Sequence, residues 1–241
     1  MNKAELDKIT EDVLALLRES GIVSISDSGS TQAETGSDQG PAEAAAPRSP
    51  FKPDPMLVHV YVTGRRAVLC EKDLKTLFGG SLHRDEHQCA GSMVVYQETV
   101  NVCGPDGDIA DVQVCASNDD TSQVELLSGD DLILGINAPL RLSGDTENSP
   151  GIRIVSASGS IELEHGTIIP MRKVMVSPEK AAEMHLSKGQ IVSAQVSGSR
   201  GGVLTNVAVI IEDGADGFCH LDINEAHALC VNHDTMVKII K

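Results

Sequence analysis

Two short segments of this chain open with cations and continue as apolar, strand-like runs. They are Arg65-Arg66-Ala67-Val68-Leu69 and Arg172-Lys173-Val174-Met175-Val176. The first leads into Glu71-Lys72-Asp73-Leu74 and the second into Ser177-Pro178-Glu179-Lys180-Ala181. A hairpin signal follows each. In the first half it is carried by Val100, Val102, Gly104, Gly107, Ile109, Val112 and Val114; in the second by Val192, Ala194, Val196, Gly198, Gly202, Val203, Val207 and Val209. Each half then closes on a similar segment, Gln123-Val124-Glu125-Leu126 or His220-Leu221-Asp222-Ile223. Two copies of one supersecondary unit predict a duplicated fold, with any site at the junction of the copies.

Other residue types that could do chemistry are sparse. His83, His87 and Cys89 fall on a predicted loop, where they could donate metal ligands, but their spacing matches no zinc motif. The six Cys lie far apart with no Cys-x-x-Cys, and they read as small buried hydrophobes of a reducing compartment.

Residues from about 57 to 231 resemble the PduL-type phosphate propanoyltransferases, the phosphotransacylases of bacterial microcompartments. The most specific stretch is Ser143-Gly144-Asp145, Ser149-Pro150-Gly151-Ile152, Gly159-Ser160-Ile161-Glu162-Leu163 and Gly166-Thr167-Ile168-Ile169. Asp73-Leu74 with Leu77-Phe78-Gly79, and Gln123-Val124-Glu125, fit as well. The resemblance implies tandem β-barrels, zinc and coenzyme A as cofactors if the family activity is retained, and a His-x-His pair on each Arg-led strand. Alternate strand residues face one way, so such a pair can reach one metal.

Here the first pair matches Arg66 and Val68 and the second matches Lys173 and Met175. Two are cations, Val has no donor, and a thioether suits softer metals than zinc. Two metal-ligand positions of the family pattern keep a ligating residue, Glu98 and His220, and two are too few for a tight zinc centre. The family has an Arg six residues before the Glu of Gln-Val-Glu, a grip for phosphate. Asp119 stands there, followed by Asp120, and no basic residue lies between Val112 and Leu127. Carboxylates there repel phosphate. Arg66 and Lys173 are expected either to pair with Glu98 or Asp119, taking over the metal's charge, or to point to solvent. The sequence therefore assigns no catalytic residue and predicts no cofactor.

Composition narrows the partners. With 19 Lys and Arg against 35 Asp and Glu, the net charge of -16 argues against nucleic acid and anionic lipid. Aromatics make up 2 % and Trp is absent, so the core must be Val, Ile, Leu, Ala and Met. No apolar run approaches the roughly 18 residues of a membrane span, and the N-terminus is too charged for a secretory signal.

Residues 1–21 have helical period, with Leu6, Ile9, Val13, Leu16 and Leu17 on one face. Residues 22–55 read as a disordered linker, because from Ser24 to Pro55 the chain is mainly Ser, Gly, Ala, Pro, Asp and Glu with hardly an apolar side chain. Its reach is on the order of 30 Å, so the helix is tethered to the body without belonging to it. Such an arrangement resembles the encapsulation peptides of microcompartments, which implies shell or cargo partners for residues 1–21 and a place in the compartment lumen.

Short Val- and Ile-rich runs over Met56–Val62, Val94–Val102, Ile109–Val114, Ile152–Ser156, Ser160–Leu163, Lys173–Val176, Ile191–Val196 and Val203–Ile211 predict strands. Helices are expected near Glu71–Leu77, Pro178–Met184 and Glu225–Leu229. The fold class is thus mainly β: duplicated barrels in tandem with short helices over 56–241, the halves being about 56–140 and 141–241. Three functions compete: a degenerate phosphotransacylase with a cargo or structural role, an active acyltransferase with a rearranged site, and a module that binds coenzyme A or a nucleotide without chemistry.

Overall fold

The computed structural model describes residues 54–90, 93–215 and 217–241. The predicted helix over 1–21 and nearly all of the predicted linker lie outside them. Asp54, placed in that linker by composition, is held at the entrance to the body. Its Oδ2 lies 2.8 Å from Lys238 Nζ and its Oδ1 accepts from Met56 N at 3.0 Å.

The described chain is built of fifteen strands and four helices. In order they are β1 (Leu57–Thr63), β2 (Arg66–Leu69), α1 (Glu71–Phe78), β3 (Arg84–Ala90), β4 (Met93–Cys103), β5 (Asp108–Ala116) and β6 (Gln123–Glu125). There follow α2 (Asp130–Leu134), β7 (Leu140–Arg141), β8 (Ile152–Val155), β9 (Ser160–Leu163), β10 (Thr167–Pro170) and β11 (Lys173–Val176). The chain ends with α3 (Pro178–Met184), β12 (Ile191–Val196), β13 (Gly202–Ile211), β14 (Phe218–Asp222), α4 (Ile223–Leu229) and β15 (Met236–Ile240). The fold is mainly β, as expected. Loop chemistry fixes two of the helix starts: Ser177 accepts from Lys180 N with Pro178 at the first turn of α3, and Asp222 with Glu225 forms a capping box on α4.

One sheet closes into a barrel in the order β1-β14-β11-β13-β12-β15. The other is open and follows β7-β10-β6-β2-β5-β4-β8-β9, with β3 on β4. Where sequence reasoning expected two barrels, one is a barrel and the other a curled sheet. The duplication is visible in the pairing. Strand β2 runs parallel to β5 and antiparallel to β6, and β11 runs parallel to β13 and antiparallel to β14.

The two sheets also exchange a strand. Strand β1 leads directly into β2 but pairs in the barrel beside β14, whereas β10 leads directly into β11 but pairs in the open sheet beside β6. Each crossover, Thr63-Gly64-Arg65-Arg66 and Pro170-Met171-Arg172-Lys173, therefore delivers a cation where one sheet meets the other.

Pleating sorts the side chains. Val58, Val60, Val174, Val176, Cys219 and Leu221 point into the barrel core, which leaves Tyr61, Lys173, Met175 and His220 on the outer face. In the open sheet Ala67, Leu69 and Val124 enter a second core, and Arg66, Gln123 and Glu125 take the opposite face. That face is buried too, which is why β2 and β6 have no exposed residue.

Two expectations need correction. His87 and Cys89 lie in strand β3 and not on a loop; the run is too polar to read as a strand, but it pairs with β4 through Arg84↔Tyr96 and Cys89↔Val94. Cys230, expected to be buried, is exposed at the left-handed C-cap of α4. Gly104, in the β4–β5 turn, tests the packing. A Cβ there would lie 2.1 Å from Leu134 O and 2.7 Å from Leu134 Cβ, on the end of α2. Gly104→Ala is expected to cost about 1–3 kcal/mol in thermal unfolding, and an unchanged midpoint would contradict this packing.

Candidate functional site

The register of the two duplicated strand pairs builds the site. In β2–β6 Arg66 stands opposite Glu125, and in β11–β14 Lys173 stands opposite His220. Strand β1 adds Tyr61 beside His220, with ring centroids 5.0 Å apart.

Glu125 is the hub. Its side chain is 0 % exposed and the Arg66 side chain 10 %. The Arg66 guanidinium donates to Glu125 Oε2 through Nε at 3.0 Å and through a second, shorter bond from Nη2. Gln123 Nε2 donates to Glu125 Oε1 at 2.8 Å, and the Ser143 hydroxyl bonds to the same carboxylate. Gln123 in turn accepts from Gly144 N at 2.9 Å, which ties the 143–144 loop to the sheet. Burial pushes the Glu125 carboxyl up, but Arg66, Ser143 and Lys173 outweigh it and hold the group below the usual carboxylate range.

Lys173 closes the network from the barrel side by donating from Nζ to Ser143 Oγ at 3.2 Å. Among the described residues it has no carboxylate within ion-pair distance. Burial and then Arg66 depress its ammonium, against the pull of Glu125 and Glu212. His220 sits beside it with Nδ1 sealed from solvent and no hydrogen-bond partner in the described structure. Burial, followed by repulsion from Lys173 and Arg66, lowers the imidazole to about 3, so it is neutral at physiological pH.

The crossovers are anchored on both sides. Arg65 grips Asp130 with two bonds of 2.7 Å, from Nε and Nη2. Arg172 pairs with Glu225 and donates to Thr205 O at 2.8 Å.

The remaining predicted positions do not converge on this cluster. Glu98, on β4, accepts from His83 N and pairs with His83 Nδ1 at 2.7 Å. Asp119 is exposed in the loop after β5. Val68 packs with Val95 and Cys115, and Met175 is half-buried on the barrel's outer face. The expectation that Arg66 and Lys173 pair with Glu98 or Asp119 is therefore wrong. Glu125 takes Arg66 because the β2–β6 register sets them face to face. Neither cation points freely to solvent.

Nor do the residues fit zinc. Two cations stand at the positions expected to hold ligands, Glu125 is already engaged by Arg66, Gln123 and Ser143, and His220 is the one imidazole of the cluster. A guanidinium and an ammonium repel a divalent ion instead of binding it. Among the described residues no group of three or more His, Cys, Asp or Glu could hold a metal ion. Thiol chemistry is weak as well, because burial raises Cys115 to about 11 and Cys219 to about 12.

The comparisons with known proteins account for the frame that carries these residues. The family described as phosphate propanoyltransferase matches residues 59–232. This chain belongs to the phosphate propanoyltransferase family. It is 35% identical over 190 residues to the phosphate propanoyltransferase of Rhodopseudomonas palustris (strain BisB18), covering 78% of this chain and 84% of the relative. It is 34% identical over 190 residues to that of Rhodobacter capsulatus, covering 78% and 88%. Against that of Salmonella typhimurium (strain LT2) the identity is 33% over 169 residues, covering 69% and 80%. The phosphate propanoyltransferase match spans both crossovers and both duplicated strand pairs, so the cluster lies inside it. No helix among the described residues is long and apolar enough to cross a membrane.

Proposed function

We propose that this chain is a catalytically silent phosphate propanoyltransferase-family protein that serves as cargo or structural component of a bacterial microcompartment. The observation that carries the reading is the Arg66–Glu125–Ser143–Lys173 network, which fills the junction of the two sheets with side chains already bonded to one another. A site with its charges matched internally has little to offer a substrate, and fold alone does not confer activity. The relatives' name supports the alternative, transfer of a short acyl group between coenzyme A and phosphate; it does not supply the missing ligands.

The test is metal content and turnover together. The purified full-length chain is expected to carry well under one equivalent of zinc and to leave acyl-coenzyme A unchanged in the presence of phosphate. About two tightly held zinc ions per chain, or phosphate-dependent release of coenzyme A, would reject the silent reading. Melting curves with and without a strong chelator are expected to superimpose, because Val- and Ile-rich cores hold the strands.

The microcompartment half of the proposal rests on the amphipathic pattern of residues 1–21. A stripe of Leu6, Ile9, Val13, Leu16 and Leu17 suits a hydrophobic groove or like helices on shell or cargo proteins. Deleting 1–21 should leave the melting temperature unchanged and abolish co-purification with shells. Continued partition of the truncated chain into shells would remove these residues as the targeting element.

A further inference from the structure

Part of the barrel's outer face does not match the rest of the chain. Four of the seven large apolar side chains exposed among the described residues, Ile191, Val203, Met236 and Ile240, stand on the adjacent strands β12, β13 and β15. The register gathers them into one patch. On β12 Ile191 is one outward position from Ser193, and Ser193 faces Ile240. Gln195 lies between Val203 and Lys238, whose other neighbour is Leu57 on β1, and Met236 stands opposite His59. The pleat turns these side chains away from Val192, Ala194, Val196, Val237 and Ile239, which fill the barrel core. The barrel is closed and has no free strand edge, so what this face offers a partner is side chains.

Its charge is unusual too. The chain carries 35 Asp and Glu against 19 Lys and Arg. Yet the outward positions of β1, β12, β13 and β15 hold no Asp, Glu or Arg, and their one Lys, Lys238, is paired with Asp54 at 2.8 Å. Between the apolar groups stand Ser193, Gln195 and Thr205, each with a donor and an acceptor. Such a face is its own complement. A two-fold axis sets its apolar groups on apolar groups, and each amide or hydroxyl meets a group that can both give and take a hydrogen bond. A face built for a charged partner would present unpaired charge of the opposite sign.

We propose that this barrel face joins two copies of the chain in an isologous dimer, with Ile191 and Ile240 in the contact. Each copy bears a net charge of -16, so copies repel at a distance and meet best where neither presents an unpaired acid. The patch is a few strands wide, which makes the dimer a weak and reversible one. Its affinity depends on salt in a telling direction. The screening length falls from about 30 Å at about 0.01 M salt to about 8 Å at about 0.15 M. Screening removes the repulsion between the copies and leaves the apolar contact, so added salt tightens the dimer.

Sedimentation equilibrium on the full-length chain tests this. The average mass is expected to climb toward that of two chains as protein concentration rises, with a dissociation constant at least about tenfold lower at about 0.15 M than at about 0.01 M salt. Ile191→Glu with Ile240→Glu puts carboxylates into the contact and is expected to leave a monomer at every concentration. Ile191→Ala with Ile240→Ala adds no charge and changes only exposed side chains, so it keeps the native fold by circular dichroism even where the glutamates disturb it. It should weaken association at least about tenfold. A native chain that stays monomeric at both salt concentrations overturns the proposal and leaves the face to a different partner. A dimer that the Ala variant forms as tightly as the native chain overturns it as well, because the contact then lies elsewhere.

Discussion

Glu125→Gln is expected to be among the most destabilising single changes in this protein, although it removes no volume. The side chain is wholly buried, so the substitution leaves the shape and takes away the charge that Arg66 faces. Stranding a buried guanidinium costs about 3–5 kcal/mol, and on a body of this size that lowers the melting temperature by roughly 10 °C. Lys173 suffers as well, because Glu125 is the first group that favours its ammonium. Replacing both partners, Arg66→Met with Glu125→Leu, should recover at least half of the loss, since a buried pair stabilises far less than its broken half destabilises. Gln123 and Ser143 lose an acceptor in the double variant, which keeps the recovery from being complete. The check is a set of denaturant or thermal curves for the three proteins. A Glu125→Gln chain that melts within a degree or two of the native protein would show that Glu125 is not the hub of the site.

Much of this arrangement can be read from residue types, and the part that cannot has a physical reason. Strands β9, β11 and β12 and helix α3 begin and end where Val and Ile content, Pro178 and the Ser177 cap place them. Strand β3 escapes because Arg84-Asp85-Glu86-His87 has no apolar alternation; it forms by pairing along β4. Helix α2 escapes because only five residues lie between Gly129 and Gly135, with no side-chain cap to announce it.

The strand exchange is the larger gap. Which sheet β1 joins is decided by partners more than 150 residues away, such as Phe218 and His220 opposite His59 and Tyr61, and no local pattern records that choice. The hub did leave a trace. Arg66 precedes Ala67-Val68-Leu69, and Glu125 sits between Val124 and Leu126-Leu127. A charge inside an unbroken apolar run is headed for burial and must find its opposite there. Asp111 between Ala110 and Val112 and Glu162 between Ile161 and Leu163 show the same local pattern and stay exposed, however, so only the β2–β6 register singles out the Arg66–Glu125 pair. Lys173 opens Val174-Met175-Val176 just as Arg66 opens Ala67-Val68-Leu69, whereas Ser143 left no trace, because the 143–144 loop reaches Lys173 only through the meeting of the two sheets.

Acid sensitivity follows from the same cluster. His220 titrates near 3 in the folded chain against 6.5 in an unfolded one, because burial, Lys173 and Arg66 all oppose its charge. Between these values the unfolded state holds more protons than the folded state, so stability rises with pH across the window and falls as pH drops below 6.5. At pH 4.5 the loss amounts to roughly 2–3 kcal/mol, at about 1.4 kcal/mol per pH unit. Glu125, held below the usual range, acts in the same direction but contributes its loss only below about 4.5, where an unfolded carboxyl begins to protonate. Glu225 works the other way. Burial raises it against the pull of Arg172, so it favours the folded state slightly as pH falls toward 4.5. The variant His220→Leu shares Glu125 and Glu225 with the native chain, so the difference between the two proteins isolates the imidazole. Measured between pH 7 and 4.5, native stability should decline relative to His220→Leu with a slope approaching one proton. Parallel curves across that range would mean that the buried ring accepts its proton freely, and that Lys173 and Arg66 do not confront it as charges.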